Sequence, residues 1–165
     1  MSVNRTMTAG DHSYSPYPIG HVTKLKMVLP VGKEKAWSLI ATPKGLESWF
    51  PSIVQGTMKP GYFLEFAWKN GLVERFRIIC LGEKHSSFRL EWRHGAIVRF
   101  YLHGKMTTLT LEAEYLDNAI GRASQLDELP QWVFYLANLK SAAHGGPDLR
   151  HRLKGRSKEE GFIDN

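Results

Sequence analysis

The side chains able to do chemistry are scattered along this chain of 165 residues. Nucleophilic catalysis needs a hydroxyl or thiol with a base beside it, in a local motif that exposes and activates it. Ser48, Ser86, Ser87 and the single cysteine, Cys80, have no such setting around them. No HExxH pair, phosphate-cradling loop or dinucleotide fingerprint occurs, because GHVTKLK and GLESWF lack the glycines and lysine those sites require. A metal centre needs several thiol, imidazole or carboxylate ligands at close spacing. With one cysteine and no clustered histidines, neither a metal nor any other cofactor is expected. Acid–base chemistry is left to His94, His103, Tyr62, Tyr101 and Tyr135, and to Glu65, Glu91, Glu112 and Glu114.

Most of these groups lie in segments that alternate apolar and polar residues, the period of a half-buried strand. Val98, Phe100 and Leu102 share one face, which leaves Arg99, Tyr101 and His103 on the other. A one-residue slip of register would reverse that assignment. Glu65, Glu91, Glu112 and Glu114 fall on polar faces by the same rule, and His94 falls in a turn with Gly95. The interior is therefore expected to be poor in acids and bases, which favours binding over catalysis.

The elements that set those faces follow in order. Val22, Leu25, Met27 and Leu29 interleave with Thr23, Lys24 and Lys26 as a strand with one irregularity, stopped at Pro30. Residues 31–41 form a short amphipathic helix with Ala36, Leu39 and Ile40 inward. In ATPKGLESWFP, residues 41–51, Thr42 and Pro43 stop that helix and start another, since proline fixes φ and suits a first helical turn. Leu46, Trp49 and Phe50 then present one apolar edge. Further strands carry Tyr62, Leu64, Phe66 and Trp68; Phe76, Ile78 and Cys80; Phe88, Leu90 and Trp92; Val98, Phe100 and Leu102; and Leu109, Leu111, Ala113 and Tyr115. Short turns at Lys69–Gly71, residues 82–85, His94–Gly95 and Gly104–Lys105 make them an antiparallel meander with one apolar face. The cover for that face comes last: Leu126, Leu129, Val133, Leu136, Leu139 and Ala143 recur at helical spacing, with Pro130 in the first turns and Gly145, Gly146 and Pro147 ending the helix.

Hydrophobic residues at 42% and charged ones at 23% are in the globular range. Residues 1–20 read as a loose arm, 21–145 as one domain, and 146–165 as a basic flexible tail. That tail, with Arg150, Arg152, Lys154, Arg156 and Lys158, holds much of the formal net charge of +6. A solvated tail explains the excess without a nucleic-acid partner, although any polyanion would attract it. No apolar run has signal-peptide or membrane-spanning length, so a cytoplasmic protein without membrane insertion is expected.

The element order, with ATPKGLESWFP, FRLEW, MTTLTLEAEY and QWVFYLANLK, resembles the START-like, helix-grip superfamily (SRPBCC). Within it the chain is most similar to the bacterial proteins named after the activator of the heat-shock chaperone ATPase. The match runs over about residues 22–144 and departs at Phe50, where a second tryptophan is expected, and at Gln131, where a glycine usually precedes Trp132. The resemblance implies an α+β helix-grip fold, in which a curved antiparallel sheet wraps a long C-terminal helix, with two short helices after the first strand. It also implies a hydrophobic cavity between sheet and helix. The residues suggest the same cavity, because a curved sheet cannot touch a straight helix along its whole length. Its expected wall is Trp49, Phe66, Trp68, Trp92, Phe100, Trp132 and Leu136, although inward aromatics also serve as plain core. The expected partner is a small hydrophobic molecule, a lipid or an aromatic metabolite, entering near the loop 116–125. The alternatives are a chaperone-related module that binds a protein partner, and a cyclase- or aromatase-like enzyme.

Overall fold

The computed structural model describes residues 18–82 and 86–150. Most of the expected arm and residues 151–165 of the expected tail lie outside the described residues. Strand β1 (Ile19–Val28) is followed by helices α1 (Lys33–Ile40) and α2 (Pro43–Glu47), then β2 (Ile53–Gly56), β3 (Phe63–Ala67), β4 (Val73–Leu81), β5 (Ser87–Glu91), β6 (Ile97–His103) and β7 (Thr108–Leu116), and finally α3 (Ala119–Ala143). The seven strands form one antiparallel sheet in the order β1-β7-β6-β5-β4-β3-β2. Consecutive strands pair from β2 to β7, as short turns dictate, and β1 returns to the far edge beside β7.

Register places the inward side chains as alternation requires. Phe100 lies opposite Phe88 and Leu111, and Leu64 opposite Phe76. All five are buried. Each large apolar side chain removed from water in this way contributes about 1.5–3 kcal/mol. The outer face carries the charges, with ion pairs Lys24–Glu112 at 2.9 Å and Arg99–Glu114 at 3.8 Å.

Helix α2 begins where Thr42 and Pro43 indicate: the Thr42 hydroxyl accepts from Gly45 N at 3.0 Å, an N-cap bond that satisfies one of the open first-turn donors. Gly45 is required there because a Cβ would lie 1.9 Å from Ser38 O in α1.

Several expectations are corrected. Strand β2, the short edge strand, was not expected; four residues ending at Gly56 give little alternation. Helix α3 begins at Ala119, capped by Asn118, whose side chain accepts from Gly121 N at 2.7 Å. Residues 119–125 are thus helix and no loop through which a ligand could enter, and Pro130 sits mid-helix. The inward face of α3 is also rotated. Glu128, Trp132, Tyr135, Leu136 and Leu139 are buried, whereas Leu126, Leu129 and Val133 are exposed. Cys80 is exposed because the β4–β5 register shifts between Ile78 and Cys80, and such a bulge reverses the alternation beyond it. Arg150, expected in a solvated tail, is 7% exposed. Among the described residues no helix is long and apolar enough to cross a membrane.

Candidate functional site

The chain leaving α2 carries Trp49 and Phe50 into the space between α3 and the sheet, where both are buried. Two hydrogen bonds pin this segment. Trp49 Nε1 donates to Leu39 O at 2.9 Å, and Asn138 Nδ2, on α3, donates to Trp49 O at 2.9 Å. Phe50 is thereby held at the centre of a ring cluster. It stacks on Trp49 at 5.0 Å and Trp92 at 5.8 Å, meets Phe66, Trp68 and Tyr135 edge-on at 5.7, 5.3 and 4.8 Å, and lies tilted against Trp132 at 5.4 Å. Such pairs add about 0.5–1.5 kcal/mol each beyond area burial.

These rings do not close completely. Phe50, Trp68, Trp92, Trp132 and Tyr135 wall a void of about 10 Å³, and Arg93, Glu128 and Gln131 supply its polar groups. That volume has room for about one water molecule. Phe50, Trp68, Arg93, Gln131 and Tyr135 also line an outer cleft of about 290 Å³, with Ser52, Lys69, Asn70, Leu72 and Arg150 at its rim. The site is a small aromatic niche behind a wider, more polar mouth.

The floor of the niche is a carboxylate. Glu128 is 6% exposed. Its Oε2 accepts from the Tyr115 hydroxyl at 2.9 Å and from Trp92 Nε1 at 3.2 Å, while Trp132 Nε1 donates to the Tyr115 hydroxyl at 3.3 Å. Burial pushes the Glu128 carboxyl above its ordinary pKa; the hydrogen bonds from Tyr115 and Trp92 and the charge of Arg93 only partly offset this. Tyr115 is raised as well, by burial and then by the Glu128 charge. A buried acid beside a buried phenol can hold or pass a proton, or bind a donor, in a setting where water cannot screen it.

Arg93 stands at the mouth. It occupies a 3-10 turn between β5 and β6, Arg93–Gly95, in which His94 and Gly95 both have left-handed backbone, φ 54° and 74°. Non-glycine residues seldom adopt that conformation, and it costs about 1–3 kcal/mol unless the surroundings hold it. The guanidinium lies 5.6 Å above the Trp68 ring and 5.4 Å above the Trp92 ring, and its Nε–Nη2 edge donates to the Glu74 carboxylate, the Nε contact at 2.6 Å. Trp68 Nε1 donates to the same carboxylate at 2.8 Å. Burial disfavours the Arg93 charge, but the bonds and charge of Glu74 outweigh it and raise its pKa.

Of the seven side chains expected to wall a cavity, Trp68, Trp92 and Trp132 line the void. Trp49, Phe66, Phe100 and Leu136 are buried behind them as core. Phe100, for instance, packs against Trp49 and Phe88, both at 6.1 Å. Phe50 and Gln131, the two positions where the sequence departs from the expected pattern, both line the niche. The expectation of an interior poor in acids and bases is corrected by Glu128 and Tyr115, both buried, and Tyr135 lines the niche. Glu128 breaks the rule that apolar residues mark the inward face of a helix, the rule that puts Leu126, Leu129 and Val133 inward. The signal was nonetheless present: Glu128, Gln131, Trp132 and Tyr135 stand at i, i+3, i+4 and i+7, one face of a helix. Arg93 carries no such signal, because a turn has no periodicity.

A long terminal helix laid across a single antiparallel sheet, with two short helices between the first two strands, is the helix-grip architecture. Comparison with solved structures agrees. SSP2350 from Staphylococcus saprophyticus superposes with a TM-score of 0.65 at 16% identity over 76% of this chain and 94% of its own. Aha1 from Colwellia psychrerythraea, solved as a dimer, gives 0.63 at 16% identity over 75% and 96%. DynU16, a protein of the dynemicin biosynthetic locus, gives 0.66 at 17% identity over 77% of this chain and 49% of its own. At that identity the likeness establishes the fold alone. No family model and no curated protein matches the chain.

Proposed function

We propose that this protein binds a small, mostly apolar molecule in the cleft between α3 and the β3–β4 end of the sheet. The observation that carries the reading is the convergence of five rings, Phe50, Trp68, Trp92, Trp132 and Tyr135, on a niche that continues into an outer cleft of about 290 Å³. A plain core has no reason to leave its aromatics facing a mouth rimmed by Arg93, Lys69 and Arg150. The niche itself admits only a small group, so the body of the ligand lies in the outer cleft against Trp68 and Tyr135, in contrast to a ligand swallowed whole between sheet and helix.

A second reading, an acid–base enzyme, is favoured by one observation: Glu128 and Tyr115 are hydrogen-bonded to each other at 2.9 Å beside the niche. Native mass spectrometry of protein purified from its own host, followed by denaturing extraction, tests the binding reading. A retained stoichiometric small molecule is expected. A clean apo mass, together with unchanged tryptophan emission across a panel of flat aromatic compounds, would overturn it.

A further inference from the structure

We infer that the ligand carries a primary ammonium group, which docks on Glu128 Oε1 inside the aromatic niche. The inference rests on the binding reading above and names the chemistry of its ligand.

Glu128 is a buried carboxylate with an unmet demand. The hydrogen bonds from Tyr115 and Trp92 go to Oε2, and Trp132 stands near enough to favour the charged carboxylate. Oε1 accepts none from the described residues, and Glu128 borders the void. Among the described residues no ion pair is formed with it: the charge of Arg93 acts on Glu128, but Arg93 binds Glu74 instead, through Nε and Nη2. Buried glutamates are almost always paired, because an uncompensated charge in a low-dielectric interior is costly. A cation arriving from outside removes that cost.

The surroundings select the kind of cation. Rings attract positive charge to their faces, most strongly when water is excluded, and Trp92 and Trp132, both nearly buried, wall the niche. The void of about 10 Å³ matches a water molecule, and a primary ammonium head is of similar size, with three N–H donors to offer. A trimethylammonium head is far too large. The carbon body of the amine would extend into the outer cleft, over the Trp68 and Tyr135 side chains that the two spaces share.

The test titrates the full chain with three probes that share one aromatic body: 2-phenylethylamine, 2-phenylethanol and 2-phenylethyl-trimethylammonium, read by tryptophan emission and calorimetry at neutral pH. The amine is expected to bind at least tenfold more tightly than the alcohol and the quaternary compound. In Glu128→Gln, which keeps the side-chain shape, the preference of amine over alcohol should vanish. Equal affinity of wild-type protein for amine and alcohol would overturn the inference and leave the binding reading intact. An undiminished amine preference in Glu128→Gln would do the same. Binding of none of the three would overturn both. The wild-type comparison stands whether or not the variant folds.

Discussion

Arg150 Nη1 donates to the carbonyl oxygen of Phe50 at 3.1 Å, so a residue from beyond the last helix holds the aromatic at the centre of the interior. The same guanidinium reaches Pro51 O at 2.9 Å and Glu47 O at 2.8 Å, and Asp148 grips its other edge. Together they satisfy carbonyls at the end of α2 that no helical donor serves.

Arg150→Ala should therefore loosen the 47–51 segment and lower stability by about 2–4 kcal/mol, since hydrogen bonds to charged groups are worth about 1.5–3 kcal/mol and three carbonyls lose their donor. Urea unfolding measures this. A loss under 0.5 kcal/mol, the range typical of neutral surface changes, would show the clamp to be incidental.

Asp148 has its pKa held well below the ordinary 3.8 by hydrogen bonds from Arg150, with burial opposing. The folded state thus binds that proton less tightly than the unfolded state does. Its stabilising contribution is present above pH 3.8 and is lost as pH falls below it. Asp148→Asn should lower stability at neutral pH and flatten its decline on the acid side. Thermal unfolding midpoints across pH 2–7 give the comparison, and parallel curves for the two proteins would contradict it.

Glu128 titrates in the opposite sense. Burial raises its pKa above 4.5, so the folded state holds the proton more tightly, and stability falls as pH rises from 4.5 through the folded value. Arg93, Tyr115 and Tyr135 are the ionisable groups facing it across the niche. Glu128→Gln should remove that decline and unfold at a higher temperature than wild type at neutral pH in the absence of ligand. A variant less stable than wild type at pH 7 by more than it is at pH 4 would refute the sign.

The tryptophans separate core from site. Trp49, Trp92 and Trp132 are 0%, 7% and 2% exposed, so truncation of each to alanine should cost about 3–5 kcal/mol. Trp68, half-buried at the mouth, should cost distinctly less and weaken ligand binding more. Equal losses at all four would mean that the cluster is packing throughout.

The sheet was readable because each strand has one buried and one wet face, which writes a period of two into the sequence. Phe88, Leu90, Phe100 and Leu111 all point where alternation puts them. Helix α3 was harder because it is apolar on both sides: Leu126, Leu129 and Val133 are exposed while Glu128 and Asn138 are buried. Hydrophobicity alone cannot orient such a helix. What orients it is polar bonding to distant segments, as when Asn138 also accepts from Leu149 N at 2.7 Å. Its other amide bond, from Nδ2 to Trp49 O, spans 89 positions of the chain, so no local spacing announces it. Phe50 and Gln131 stood out as departures from the expected pattern, but Arg93, which lines the same niche, comes from a turn that carries no sequence period.

The bulge that turns Cys80 outward makes the lone thiol an accessible chemical handle. It lies outside both the niche and the cleft. A maleimide dye can therefore be attached at one defined position without occupying the site, and its distance-dependent quenching would track movement of the Trp68 and Arg93 side of the mouth. No engineered cysteine is needed, and no second cysteine competes for the dye.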